Sequence, residues 1–243
     1  MTYSPYSRAA RPCRVQGCPI SAYGRDIYCG RHRQALRHNG HVHQRRIRKG
    51  DLNPYLETVE RYRQLHPDKQ FWAAVEARWK FLSADCDLSS GHAFGSPSNR
   101  HRWSNEAREV VRAVALRVPA WEVCKTALAL YLMEKLDGRR FQDDTAFRYQ
   151  LCQCLRRLSP TSYRTYFNTA GKVRASHLKE MHRQAIELLG DWLVLVFGLA
   201  GLMFANWVER VENRHRAATA AFKEAMTSLP DPDNETRVPN GLQ

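Results

Sequence analysis

The sequence predicts a mainly α-helical protein in which a small N-terminal zinc knuckle precedes an all-helical bundle. Three observations lead to this fold class. Residues with metal-binding side chains crowd into positions 13–32, apolar residues recur at helical spacing from about residue 54 onward, and no convincing strand alternation follows the knuckle. Apolar residues spaced three and four apart form one face of a helix, and a folded protein buries such a face.

Four side chains near the N-terminus have the spacing of a zinc site, with the pattern C-x4-C-x10-C-x2-H. They are Cys13, Cys18, Cys29 and His32. Thiolate sulfur and imidazole nitrogen are the donors that structural Zn²⁺ sites use, in two close pairs separated by a loop. A metal can therefore fold a segment that has almost no apolar core.

The same region is the most basic part of the chain. The formal net charge is +14, and residues 1–50 hold eleven Arg and Lys against a single acid, Asp26. Such a charge surplus favours polyanions, because each Lys or Arg can neutralise a phosphate. The predicted nucleic-acid-binding residues of this region are Arg14, Arg25, Arg31, Arg33, Arg37, Arg45, Arg46, Arg48 and Lys49.

A second basic stretch, residues 156–183, has tyrosines and a phenylalanine among its cations. Aromatic rings beside cations can stack on bases, although they can equally anchor a loop to the core. The residues proposed to contact nucleic acid here are Arg156, Arg157, Arg164, Lys172 and Arg174.

The knuckle resembles the small zinc-binding segment attached to phage and bacterial HNH endonucleases and to other mobile-element proteins. The matching positions are Cys13, Val15, Gly17, Cys18, Tyr28, Cys29, His32, Arg37 and Gly40, whereas Arg33 and Leu36 replace the usual aromatic residues. The resemblance covers about 28 residues and implies a zinc-binding module of a phage or mobile element. It does not imply nuclease activity, because 38–41 (HNGH) lies too close to the knuckle to form a catalytic hairpin and helix.

We expect the helices to lie between capping and breaking residues. The predicted helices run from Asn53 to Leu65 with Pro54 in the first turn, from Asp68 past Leu82, from Ser104 to Val118, from Pro119 to Leu136, from Asp143 or Asp144 to Leu158, and from Ser176 to about Leu229. The predicted organisation is a flexible lead-in (1–12), the knuckle with its basic extension (13–50), a helical body (51–229) with a long loop and candidate subdomain boundary at 85–103, and a mobile tail (230–243).

Residues 192–208 form an uncharged apolar stretch with a tryptophan near each end. As a helix of about 26 Å, it falls just short of the hydrocarbon core of a bilayer. We expect a buried helix or the seam of a homo-oligomer or partner complex, with a membrane span as the second interpretation.

Seven cysteines cannot all pair, and the N-terminus lacks the apolar core of a secretory signal, so we expect a cytoplasmic protein. The overall expectation is a non-catalytic, zinc-dependent nucleic-acid-binding protein, with double-stranded DNA favoured over RNA. Two alternatives remain: a non-catalytic or nuclease-associated subunit of a nucleic-acid-processing complex, and a membrane-linked or co-chaperone-type protein. The co-chaperone alternative arises from His66-Pro67-Asp68, although a simpler account suffices: Pro67 ends one helix and Asp68 caps the next.

Overall fold

The computed structural model describes residues 11–88, 99–167 and 173–228, and it confirms the mainly α fold. Seven helices are described: α1 (Gly30–Asn39), α2 (Lys49–Leu65), α3 (Gln70–Leu88), α4 (Asn99–Ala115), α5 (Ala120–Leu136), α6 (Asp144–Leu158) and α7 (Arg183–Ser228). A 3₁₀ turn (Pro160–Ser162) and two strands, β1 (Tyr163–Phe167) and β2 (Val173–Leu178), lie between α6 and α7.

Helix α5 is the centre of the body. Every residue from Val123 to Met133 is buried except Lys125, which is partly exposed and pairs with Glu60 and Glu122. A helix that is apolar all round must be surrounded, and α2, α3, α6 and α7 all pack against α5. One core cluster contains side chains of α2 to α7.

Helix α7 is half-buried. Leu193, Phe197 and Phe204 face the core, whereas Leu195 and Leu199 are 80% and 59% exposed. Residues 183–227 are long and apolar enough to span a membrane, with a mean hydropathy of 2.0 in the most apolar window, and half of that window is buried. The core helix of a soluble protein meets the same criterion.

The strands are an addition to the predicted all-helical body. β1 and β2 pair antiparallel, with Thr165 opposite Ser176 and a bulge after Tyr166. Ser176 therefore lies in a strand, and the prediction that it starts the last helix is wrong; that helix begins at Arg183. The β-branched and aromatic residues of this stretch favour extended backbone.

Two other predicted helix starts are also wrong. Helix α2 begins at Lys49, not after Asn53, because the carboxylate of Asp51 accepts a hydrogen bond from the Arg48 N–H at 2.8 Å and caps the helix there. Pro54 lies inside α2, and Ser104 lies inside α4 instead of capping it.

The predicted loop at 85–103 is shorter than expected, since α3 extends to Leu88 and α4 begins at Asn99. The core cluster contains residues from both sides of this loop, including Cys86 and Val111. The caps at Pro119 and Asp143 are confirmed, and Asp143 accepts a hydrogen bond from the Ala146 N–H at 2.6 Å. Most of the predicted lead-in and all of the predicted tail lie outside the described residues.

The packing of α7 on α5 requires a glycine at one position and only tolerates one at another. A Cβ on Gly201 would lie 2.2 Å from Cδ2 of Tyr131, whereas a Cβ on Gly198 would meet its nearest atoms at an ordinary 3.5 Å. We expect Gly201→Ala to destabilise the protein by about 1–3 kcal/mol through overpacking. The matched control Gly198→Ala should be neutral, or stabilising by up to about 1 kcal/mol through helix propensity. Urea denaturation of both variants measures the difference, and equal stabilities would contradict this account of the α5–α7 contact.

Candidate metal centre and nucleic-acid interface

The structure brings the four predicted ligands together. The ligand atoms of Cys13, Cys18, Cys29 and His32 all lie within 4.8 Å of one another. His32 Nδ1 is 3.4 Å from the Cys13 sulfur and 3.3 Å from the Cys29 sulfur, and the Cys18 and Cys29 sulfurs are 3.9 Å apart. A tetrahedral zinc ion, with bonds of about 2.3 Å to sulfur and 2.0–2.1 Å to nitrogen, separates two sulfurs by about 3.8 Å and a sulfur from a nitrogen by about 3.6 Å. The group could therefore hold a metal ion.

A tight turn positions the first pair of ligands. The Cys18 N–H donates to the Val15 carbonyl at 3.1 Å, and Gly17 has a φ of 75°. This positive φ at the third position of a four-residue turn is typical of a type II turn and favours glycine. The turn directs the Cys13 and Cys18 side chains toward the same point.

The second pair of ligands lies at the start of α1. Cys29 is the N-cap residue and its carbonyl accepts the Arg33 N–H at 2.9 Å, so His32 lies in the first turn of the helix. The loop before Cys29 is organised by Asp26, whose carboxylate accepts the N–H groups of Ile27 and Tyr28 and pairs with Arg33. The only acid of the first fifty residues therefore supports the loop that carries the third ligand.

The thiols of the centre do not titrate alike. Burial opposes ionisation of Cys13, but the N–H groups of Cys29 and Val15 and the side chains of His32 and Cys18 lower its pKa from 9.0 to about 6. A backbone hydrogen bond at Ile20 lowers the pKa of Cys18, yet burial and the Cys29 and Cys13 thiols outweigh it and raise that pKa. One thiolate forms easily and a second is opposed, which is the electrostatic situation that a bound divalent cation relieves.

Few apolar contacts support this region. Its buried cluster consists of Cys13, Val15 and Cys29, two of which are ligands, and α1 has no buried residue. Segments of this size usually need a metal or disulfides to fold. All seven cysteines are free thiols, so disulfides do not supply the missing stability.

The basic extension after α1 is fastened to the body. Gly40 ends α1 with a φ of 84° and lies against Tyr149 of α6, where a Cβ would come within 2.8 Å of the ring. The buried Gln44 side chain binds the carbonyl of Arg140 and the N–H of Gln142. The Ile47 N–H donates to Gln150 at 3.0 Å.

A cleft of about 970 Å³ lies between α1 and the body. Six cations line it: Arg31, Arg37, Arg46, Arg156, Arg157 and Lys179. Glu180 is the only acid among its described lining residues, and it pairs with Arg37 across the mouth of the cleft. Both partners are more than half exposed, so water screens this pair and it contributes little stability.

Two arginines of the cleft are unusually buried. Arg156 is 3% exposed and donates to the Lys179 carbonyl at 2.6 Å, and Arg157 donates to the Ile47 carbonyl at 2.6 Å. Within the described residues, Nε of each has no hydrogen-bond partner and neither is ion-paired with a carboxylate. Burial leaves the charge of both guanidinium groups poorly solvated and lowers the pKa of each. An anion in the cleft would compensate this charge.

The predicted nucleic-acid-binding residues fall into three groups. Those of the N-terminal region are exposed: Arg14, Arg25, Arg31, Arg33, Arg37, Arg45, Arg46, Arg48 and Lys49. Arg156 is buried and Arg157 half-buried in the wall of the cleft. Lys172 lies outside the described residues, as do the side chains of Arg164 and Arg174.

Two features of the interface were not predicted. Lys179 belongs to the second basic stretch but was not among the predicted binding residues, although it lines the cleft. The Arg37–Glu180 pair joins residues 143 positions apart, and no local sequence signal reveals such a contact.

His66 of the His-Pro-Asp tripeptide lies in the turn between α2 and α3, where its carbonyl accepts the Trp72 indole N–H at 2.8 Å.

No family model, no curated protein and no solved structure matches this chain.

Removal of one ligand should release the metal. Loss of a partner that only orients a ligand costs about 10–100-fold in metal affinity, so we expect His32→Asn to cost more than that. His38→Asn, in the same helix but outside the ligand group, is the matched control and should bind metal as the parent does. Native mass spectrometry with elemental analysis counts the ions per chain. Equal metal content in the His32 variant and the parent would contradict the ligand assignment.

Proposed function

We propose that this chain is a non-catalytic, zinc-dependent nucleic-acid-binding protein, with double-stranded DNA favoured over RNA. Zinc is the metal we assign to the Cys3His group, because tetrahedral sites of thiolate and imidazole donors suit it best. The observation that carries the proposal is the cationic cleft beside α1, whose lining, as far as the chain is described, holds six cations and a single acid.

The support for phosphate binding comes from charge and position together. Arg31 and Arg37 lie on α1, the same short helix that carries His32. A metal bound to His32 would therefore hold this helix, and both arginines on it, in a fixed position. Arg46 lies between Gln44 and Ile47, the two residues that attach this segment to the body, and it lines the same cleft. Planar guanidinium groups can bind phosphate oxygens through two parallel hydrogen bonds, so these side chains suit the backbone of a nucleic acid.

The biological context of the proposal rests on the resemblance of the knuckle to segments of mobile-element proteins. We therefore propose an accessory or regulatory factor of a phage or another mobile element. The seven free thiols support a reducing, cytoplasmic location for such a factor.

Salt dependence tests the proposal directly. We expect the affinity for a short DNA duplex to fall steeply with salt, and Arg46→Ala to reduce the slope of log K against log salt by about 1. Arg78→Ala, an exposed cation of α3 away from the cleft, should leave the slope unchanged. Fluorescence anisotropy across a salt series measures both, with duplex RNA as competitor. An affinity indifferent to salt, or equal slopes in the two variants, would overturn phosphate binding at the cleft.

The acid at the mouth of the cleft should oppose binding. Glu180→Gln removes the one carboxylate found among the described lining residues and frees Arg37. We therefore expect about two- to fivefold tighter duplex binding, the effect of one screened surface charge. Glu57→Gln, on the exposed surface of α2, is the control for the change in net charge. An equal gain in both variants would mean that only net charge acts, and not the cleft.

A further inference from the structure

We infer that two copies of this chain pair antiparallel along α7, with the two-fold axis level with the bond between Ala200 and Gly201. The inference goes beyond nucleic-acid binding and concerns a surface on another part of the molecule. It rests on the order of charged and apolar residues along the exposed face of α7.

The exposed face of α7 carries an apolar stripe. Leu195, Leu199 and Leu202 are 80%, 59% and 52% exposed, and their spacing of four and three residues places them on one side of the helix. Single exposed leucines are ordinary on a protein surface, but a contiguous stripe on one helix indicates an interface. Asn206 continues the stripe one turn later and is also exposed.

Opposite charges flank the stripe at its two ends. Glu187 and Asp191 precede it at helical spacing, and Arg210 and Arg214 follow it at the same spacing. Glu187 and Asp191 bind Arg183 and Arg148 of their own chain, with Asp191 59% exposed. Arg210 and Arg214 contact backbone carbonyls of their own helix, and no ion pair with an acid is seen for either within the described residues.

The charges that flank the leucine stripe match between two copies only when their α7 helices run in opposite directions. In an antiparallel pair centred between Ala200 and Gly201, Leu199 lies level with Leu202 of the second copy, and Leu195 with Asn206. At the same time Asp191 lies level with Arg210, and Glu187 with Arg214. A parallel pair would place acids level with acids and arginines level with arginines. Matched charges therefore favour the reversed arrangement and disfavour the parallel one.

The length of α7 supports a second copy as the occupant of this face. The helix has 46 residues, and residues 213–227 are all exposed, including Phe222 and Met226. A helix that extends alone into water is stabilised by little besides its own hydrogen bonds. In the reversed pair, residues 213–218 lie level with residues 183–188 at the start of α7 of the second copy, which covers part of the projecting segment.

Solution mass tests the pairing. We expect light scattering to report twice the chain mass of 28.1 kDa for the parent and the monomer mass for Leu199→Glu combined with Leu202→Glu. Phe81→Glu replaces a 77% exposed aromatic residue of α3 and should remain dimeric. All three positions are exposed, so circular dichroism should show unchanged helix content. A monomeric parent, or a dimer that survives the double substitution, overturns the inference.

Cysteine cross-linking tests the direction and register. Position 195 lies level with position 206 of the second copy, but about 16 Å along the axis from its own equivalent, which is too far for a disulfide. We therefore expect oxidation to link a mixture of the Leu195→Cys and Asn206→Cys chains, and to link neither chain by itself. The parent chain, with its native cysteines, controls for other links. Self-linking of the Leu195→Cys chain overturns the antiparallel register.

The same face is also the one that a bilayer would cover. Co-flotation of the detergent-free parent protein with phosphatidylcholine vesicles therefore discriminates between lipid and a second copy. We expect the protein to remain with the soluble fraction. Stable association with the vesicles, lost in the Leu199→Glu and Leu202→Glu double variant, overturns the inference in favour of a membrane contact.

Discussion

The convergence of three thiols and one imidazole is the constraint on which the N-terminal region depends. Without a metal, burial and the Cys29 and Cys13 thiols oppose ionisation of Cys18. Among the buried members of the described apolar cluster, Val15 alone lies outside the ligand group. The hydrophobic effect cannot hold so small a cluster against chain entropy. Bonds to a metal ion would supply the missing free energy, and Asp26 and Gly17 organise the loops that bring the four side chains together.

This constraint reaches the body because α1 is not a free arm. Gly40 lies against Tyr149, and Gln44 and Ile47 are tied to residues after α5 and in α6. The same segment supplies Arg46 and the carbonyl that binds Arg157. Residues 40–47 thus connect the helix that carries His32 to α6. The cleft between α1 and α6 depends on this connection. Distortion of the ligand group would therefore change the cleft as well as the knuckle.

Features that depend on residues close together in the sequence could be predicted, whereas those that depend on distant residues could not. The ligand group was predictable because its four members lie within twenty positions and their chemistry is specific. The caps at Pro119 and Asp143 were predictable for the same local reason. The cap at Asp51 was missed because an arginine N-cap is not a typical signal, and the hairpin was missed because its strands are short and only partly alternating. The cleft was not predictable, since it needs contacts such as Arg37 with Glu180.

The apolar stretch of α7 shows how composition alone can mislead. By hydropathy this stretch is the most apolar part of the chain, yet the helix that the others surround is α5. Only half of the most apolar stretch of α7 is buried. The reason is the close approach at Gly201, which lets Tyr131 lie against the backbone on one side and leaves Leu195 and Leu199 on the other. Such a helix has two apolar faces. Its own chain buries one of them, and the other is left for a second surface to cover. Closed two-fold symmetry is the commonest arrangement of soluble oligomers. Pairing through the outer face would provide two cationic knuckles per assembly. Two linked contacts with one polyanion bind more tightly than either contact alone.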